Sequence, residues 1–279
     1  MEFLIADVGG TNLRLGWYRS EDDIPIYKEL YKFGDNFIEF IQRALEHFSI
    51  TSFSLVVGAA GPVINGVCNL TNNGLILDEN ELRESFDNKH IYVLNDLELL
   101  GYYVGSIADR EKPHLEIVTA SGTGLGLTII AISGSISIFP TEYGHAGKDA
   151  PAQKLFGAGL ARIFSSIAGF SLDPAEITAR SKLHAEHPDE LADEAIDTLL
   201  NLTLQMLKDI SLQFLPKKIY LGGTLFYEMR KLLENREKEI QTLINKTPVT
   251  VPVPIISFLP ENAAYLGGRA FLSEKVILD

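Results

Sequence analysis

Hydrophobic residues fall into short runs through the first half of the chain. Phe3–Val8 is apolar and β-prone and ends in Asp7-Val8-Gly9-Gly10-Thr11-Asn12, after which a strand pattern resumes over Leu13–Tyr18. That spacing predicts a β-hairpin around a glycine-containing turn. Phe37, Phe40, Ile41, Ala44, Leu45 and Phe48 recur with helical period. Phe53–Ala60 reads as a buried strand stopped by Gly61-Pro62, Glu79–Phe86 as a short helix and Ile91–Leu94 as a strand. Ile117–Ala120 and Leu125–Ile132 are strands flanking Ser121-Gly122-Thr123-Gly124, and Ser135–Phe139 is a third. The chain then turns helical, over Ala152–Ile167 and over Glu190–Leu215, the latter framed by Pro188 and Pro216. Ile219–Leu221 is a strand running into Gly222-Gly223-Thr224. A charged helix is predicted over Phe226–Ile244, an extended segment over Val249–Phe258 and a last helix over Ala263–Leu272. Each half opens on strands around a Gly-Thr turn and continues in helices, a pattern buried by mixed sheets covered with helices.

Composition narrows the function classes. A chain of 279 residues can bury a sizeable core and divides into one large or two modest domains. Its 24 Lys+Arg against 37 Asp+Glu give a net charge of −13. This argues against binding a nucleic-acid backbone or an anionic membrane, both of which rest on Lys and Arg. A lone Cys68 excludes a disulfide framework and any multi-cysteine metal site, and suits a reducing compartment. The opening MEFLIADVGG lacks a basic stretch, and its apolar run is too short for a signal peptide. Runs such as Leu125–Ile132 fall far short of the roughly 20 residues of a membrane span. The expectation is a soluble, cytoplasmic protein that handles small molecules or other proteins.

Three turns then stand out: Gly9-Gly10-Thr11, Gly122-Thr123-Gly124 and Gly222-Gly223-Thr224. Glycine lets backbone N–H groups approach an anion closely, and successive N–H groups form anion-binding nests. Any one of them alone is an ordinary hairpin turn. No Walker A pattern occurs. Gly122-x-Gly124-x-Gly126 lacks the spacing of a dinucleotide fingerprint and runs into a strand pattern instead of a helix. The second turn therefore joins two strands. His184 and His187 have i,i+3 spacing, but Pro188 interrupts the helix there and they read as a solvated loop. The acidic run from Asp189 to Asp197 reads as a solvated helix face with charge favourably near its N-terminus.

Taken in order along nearly the whole chain, the motifs resemble the bacterial glucokinase family of the actin-like ATPase superfamily. Asp7-Val8-Gly9-Gly10-Thr11-Asn12 looks like its first phosphate hairpin and Ala120–Gly126 like its second. Leu70-Thr71-Asn72 is similar to its sugar-contacting segment, Asn95-Asp96-Leu97 to its catalytic segment and Glu142-Tyr143-Gly144-His145 to its Glu-x-Gly-His sugar-binding segment. Leu221-Gly222-Gly223 looks like the adenosine loop, and Ala263–Leu272 like the closing helix.

The resemblance implies two actin-like (ribonuclease H-like) α/β domains with mixed sheets flanked by helices, binding ATP and sugar in the interdomain cleft. The expected division is a small domain over residues 1–97 completed by 262–279, and a large one over 98–261. It implies an ATP-dependent kinase acting on the terminal hydroxymethyl group of a hexose, with Asp96 as the base. Asn72, Asn95, Glu142 and His145 would hold the sugar. Gly9, Gly10, Thr11, Asn12, Gly122, Thr123 and Gly124 would hold the ATP phosphates, and Gly222 and Gly223 would pack on adenosine. Asp7 would hold Mg²⁺ through water, an ion that favours few carboxylates and several waters. Taken alone, Asn95 is also an ordinary helix N-cap and Asp7 a turn-stabilising residue. The cysteine-rich zinc motif of the related repressor-type kinases does not follow His145, and a homodimer is the family expectation.

One stretch departs from the pattern. After His145 the chain passes through Ala146-Gly147-Lys148-Asp149 almost directly to Phe156-Gly157-Ala158-Gly159-Leu160, without the longer segment carrying the family's second sugar-binding Glu. Lys148 close to His145 would suit an anionic substrate, since Lys can pair a carboxylate as a point charge; it also reads as an ordinary surface residue. A sugar-acid kinase acting on 2-keto-3-deoxygluconate is therefore an alternative, and a non-catalytic sugar-binding regulator on the same fold is a second.

Overall fold

The computed structural model describes residues 2–9, 12–19, 27–32, 36–70, 74–121, 124–141, 143–145, 155, 157–246 and 251–278. The chain divides into two units, residues 1–109 with 262–279, and residues 110–261.

The first unit begins with β1 (Glu2–Val8), β2 (Asn12–Arg19) and β3 (Tyr27–Lys32), followed by α1 (Phe37–His47) and β4 (Phe53–Ala59). Then come β5 (Val63–Ile64), β6 (Val67–Leu70), β7 (Leu75–Asp78), α2 (Glu79–Phe86), β8 (Ile91–Asn95) and α3 (Asp96–Ile107). The main sheet has the order β3-β2-β1-β4-β8, and β5-β6-β7 form a separate three-stranded sheet. β1 is antiparallel to β2 and parallel to β4, which is parallel to β8.

The second unit carries β9 (His114–Ser121), β10 (Leu125–Ser133), β11 (Ser135–Thr141), a 3₁₀ turn at Tyr143–His145, α4 (Gly157–Ala168), α5 (Pro174–Arg180) and α6 (Glu190–Phe214). It ends in β12 (Lys218–Gly222), α7 (Thr224–Glu228), α8 (Arg230–Asn235), α9 (Glu237–Asn245) and β13 (Ile255–Phe258). Its sheet order, β11-β10-β9-β12-β13, repeats that of the first unit, with the meander antiparallel and β9, β12 and β13 parallel. The two-part likeness read from the strand and turn pattern is thus a repeated topology. The last helix, α10 (Ala263–Leu278), returns to the first unit and packs on α3, β1 and β4.

Period-two alternation sorts the first unit's strands between two faces. Leu4, Ala6 and Val8 of β1 pack with Leu55 and Val57 of β4 against Phe37, Phe40, Ile41 and Ala44 of α1. Phe3 and Ile5, with Val56, face the other way onto Leu99 of α3 and Tyr265, Phe271 and Leu272 of α10. The sheet is a filled layer between helices, and α3 with α10 clamp the face opposite α1. In the second unit Ile117, Leu125, Leu127, Ile219 and Leu221 bury against residues of α4, α6, α7 and α9.

Several sequence expectations change. The helix over Phe226–Ile244 is three helices, jointed at Met229 and Arg236. Of the extended segment Val249–Phe258, Ile255–Phe258 pairs, while 249 and 250 lie outside the described residues. The contact division falls after Asp109 instead of Leu97, because α3 packs on α10. The loop reading of His184 and His187 holds: both are exposed between α5 and α6, and His184 Nε2 meets the Glu228 carboxylate.

Candidate functional site

In the first unit three parallel strands end at one level. Val8 stands in register with Ala59, and Ala59 with Asn95. The Ala60 N–H donates to the Val8 carbonyl at 2.9 Å. The carboxyl ends of parallel strands are where an α/β sheet presents its following turns to a ligand. The Asp7–Gly9 segment and the Asn95-Asp96 pair therefore share one sheet edge, with β4 between them.

Asp7 faces Arg14 across the β1–β2 ladder, in register, with Arg14 Nη1 3.2 Å from Asp7 Oδ2. The Asp7 side chain keeps 17% of its surface exposed. Among the described residues no group of three or more His, Cys, Asp or Glu is arranged to hold a metal. One partly exposed carboxylate is a donor set that fits Mg²⁺, which takes few protein carboxylates and completes its octahedron with water and phosphate.

The β8–α3 junction has a full set of local bonds. Asn95 is 6% exposed and caps α3. Its Oδ1 accepts from the Leu97 N–H at 3.0 Å, and its Nδ2 donates to the Gly61 carbonyl at 2.8 Å. Its own N–H donates to Glu98 Oε2 at 2.9 Å, completing a capping box. Asp96 is thus the first residue of a pinned helix, and Asn95 is the structural cap that its sequence also suggested. Gly58 of β4 makes room for this turn. A Cβ there would collide with Leu99 Cδ1 and come within 3.4 Å of the Asp96 Cα. Burial pushes the Glu98 carboxyl above its ordinary range, opposed in part by the Asn95 N–H. One turn on, the Tyr102 hydroxyl is pushed up to about 12 by burial, then by Glu98 and Glu274.

In the second unit Gly222 of β12 is in register with Ala120 of β9. Gly223 follows with φ +88°, and a Cβ on it would run into the Ser121 carbonyl. The Gly222-Gly223 segment is thus held against the end of β9 at Ser121. Thr119 Oγ1 donates to the Gly126 carbonyl at 3.0 Å and Ser121 Oγ to the Leu155 carbonyl at 2.6 Å, fixing both arms of the hairpin. A Cβ on Gly144 would meet the Leu125 carbonyl, so the Tyr143–His145 turn also lies on the start of β10.

Asn72, Glu142, Lys148, Gly10, Thr11, Gly122 and Thr123, with the side chains of Asn12 and His145, lie outside the described residues. Arg14, Gly58, Gly61 and Glu98 were not singled out from the sequence as site residues. For Glu98 the signal was available: Asn95-x-x-Glu98 has capping-box spacing.

The duplicated topology defines a class of fold, two α/β units each built on a five-stranded mixed sheet of the same strand order. The glucokinase of Balamuthia mandrillaris, solved in complex with glucose, superposes with a TM-score of 0.78 over 98% of this chain and 93% of that one, at 20% identity. A ROK family glucokinase of Streptomyces griseus, in complex with glucose and AMPPNP, gives 0.74 over 98% and 100%, at 16% identity. By sequence the chain is 30% identical to the glucokinase of Nostoc sp. over 161 residues, 51% of this chain. That match spans about half (47%) of the relative's length. The Glucokinase family model matches residues 4–156, and the chain belongs to the glucokinase family.

Proposed function

We propose that the chain is an ATP-dependent hexose kinase. The observation that carries this reading is the β8–α3 junction, where the capping box pins Asp96 at the sheet edge that also carries Asp7 and Gly9. Asp96 takes the proton of the sugar's terminal hydroxymethyl group. The resulting oxygen forms its bond to the γ-phosphorus as the bond to the bridging oxygen breaks, and ADP leaves. Positioning and charge neutralisation supply most of the rate in phosphoryl transfer, and the base adds roughly 10²–10⁴-fold. Asp96 and the second amide hydrogen of Asn95 serve the acceptor sugar, and the Gly9–Asn12 turn serves the ATP phosphates. The Gly122–Gly124 turn serves the phosphates as well, and Gly222-Gly223 packs on adenosine. Mg²⁺, held by Asp7 through water, would neutralise phosphate charge. Glu142, His145, Asn72 and Lys148 complete the reading as sugar contacts.

Family membership supports this function, as do the neighbours solved with glucose and AMPPNP. Among the described residues no helix is long and apolar enough to cross a membrane. The reading includes a cytoplasmic enzyme that works as a homodimer, and the net charge of −13 speaks against membrane or nucleic-acid partners.

The test is a coupled ADP-release screen over hexoses and sugar acids with Mg²⁺ present. Magnesium-dependent turnover of a hexose, abolished in Asp96→Ala with the fold intact, is expected. No turnover with any sugar, or full turnover by the variant, would overturn the reading. Turnover confined to sugar acids would replace hexose by that class.

A further inference from the structure

We propose that Glu98 is a positioning residue that sets the orientation of Asp96 through the backbone of Asn95. The proposal rests on the kinase reading for its catalytic meaning and on the geometry of the β8–α3 junction for its substance.

Asn95 ends the β8 ladder at Ala59 and begins α3, so the chain changes from extended to helical in one residue: Asn95 has φ −67° and ψ 143°, and Asp96 opens the helix. Those angles set the backbone frame from which the Asp96 side chain projects. Three bonds hold them. Two use the Asn95 side chain, one to Leu97 N–H inside the helix and one to Gly61 carbonyl in the loop after β4. The third is the Asn95 N–H to Glu98 Oε2 bond, which ties the last strand N–H to the first helical turn. Glu98 reaches the residue before Asp96 and so works through the peptide frame instead of on substrate.

The surroundings of Glu98 agree. It is partly buried, and its carboxylate stands one turn from Tyr102, with Glu274 of α10 adding negative charge at Tyr102. The N-terminus of α3 and the Asn95 N–H are the favourable groups that offset holding an acid there. The Asn cap alone satisfies a helix N–H group, that of Leu97; the Glu adds the link back to the strand.

The experiment compares Glu98→Ala, Glu98→Gln and wild type in three readouts. A glutamine keeps an oxygen acceptor and still completes a capping box. For Glu98→Ala, kcat is expected to fall roughly tenfold to a hundredfold, as for a misplaced reacting group. The sugar and ATP KM values are expected to hold within about twofold, since no ground-state contact is lost. Glu98→Gln is expected to recover most of the lost kcat. A crystal structure of Glu98→Ala is expected to show the Asn95-Asp96 backbone or the Asp96 side chain rotated.

An unmoved Asp96 in that structure would overturn the proposal whatever the wild type turns over. A raised KM with unchanged kcat, or a glutamine variant as slow as the alanine one, would do so as well. A wild type that phosphorylates no sugar would sink the kinase reading instead, while the crystal structure still decides the positioning role.

Discussion

Arg14 and Asp7 face each other across the β1–β2 ladder, with Nη1 3.2 Å from Oδ2 and about half of the Arg14 side chain exposed. A pair this open adds little stability, typically about 0–1 kcal/mol. Its position matters more, since it sets a guanidinium beside the first glycine turn. Arg14→Ala is therefore expected to leave the melting temperature nearly unchanged. It should raise the KM for ATP roughly tenfold, the loss of about one charge-assisted hydrogen bond. Steady-state kinetics beside a thermal melt separates the two; a large loss of melting temperature with unchanged KM would assign Arg14 to structure.

Gly267 governs the α3–α10 contact. A Cβ there would collide with the Leu99 carbonyl and stand 3.0 Å from the Tyr103 nitrogen, both backbone atoms of the helix that starts at Asp96. Backbone cannot rotate aside as a side chain can. Gly267→Ala is expected to destabilise by about 1–3 kcal/mol or more, a drop of several degrees in melting temperature. Gly134 is the control: it has φ +82° and nothing within 4 Å of its added Cβ, so Gly134→Ala should cost only the backbone strain of about 1–2 kcal/mol. Equal melts for Gly267→Ala and wild type would show that the two helices have slack.

Much of this arrangement was legible in the chain, and the illegible parts have physical causes. The β1–β2 hairpin, α1 and α6 were visible because one face is buried and the boundaries are chemical: Asp189 caps α6 just after Pro188, and Leu215 ends it before Pro216. The break of Phe226–Ile244 into three helices was not, because Phe226, Met229, Leu233, Ile240 and Ile244 stay buried at helical spacing through both joints, with no Gly or Pro to mark them. β3 was missed because Tyr27–Lys32 (YKELYK) lacks an apolar alternation and pairs only with β2, at the sheet edge. At the site, Asn95 and Asp96 were found as a motif. The bond from Asn95 to the Gly61 carbonyl spans 34 residues and no local pattern announces it.

Gly223 supplies a prediction confined to the second unit. Its φ of +88° and the Ser121 carbonyl oxygen, 2.3 Å from where a Cβ would stand, leave no space for a side chain. Gly223→Ala is expected to push β12 from the end of β9 and to weaken binding of a non-hydrolysable ATP analogue at least about tenfold, the effect of roughly 1.4 kcal/mol. Sugar binding should change much less. Calorimetric titration with each ligand reads this directly, and an unaltered nucleotide affinity would remove Gly222-Gly223 from the nucleotide side.

Buried tyrosines in the first unit set an alkaline limit. The Tyr102 hydroxyl is pushed up to about 12 by burial, then by Glu98 and Glu274; Tyr18 and Tyr265 are also pushed up, chiefly by burial. A folded pKa above the unfolded value of 10.0 means that the folded state holds its proton more tightly. The unfolded state therefore binds fewer protons than the folded one between those values, and stability falls as pH rises through that window. The contribution is fully present below pH 10 and is lost through about pH 12 for Tyr102. Phenolate absorbance is expected to show these hydroxyls ionising together with loss of helical circular dichroism instead of before it. Tyr102→Phe removes one such group while keeping the ring that packs on Phe271, 4.9 Å between centroids, and should move the alkaline midpoint upward. A midpoint unchanged in Tyr102→Phe would show that other groups set the limit.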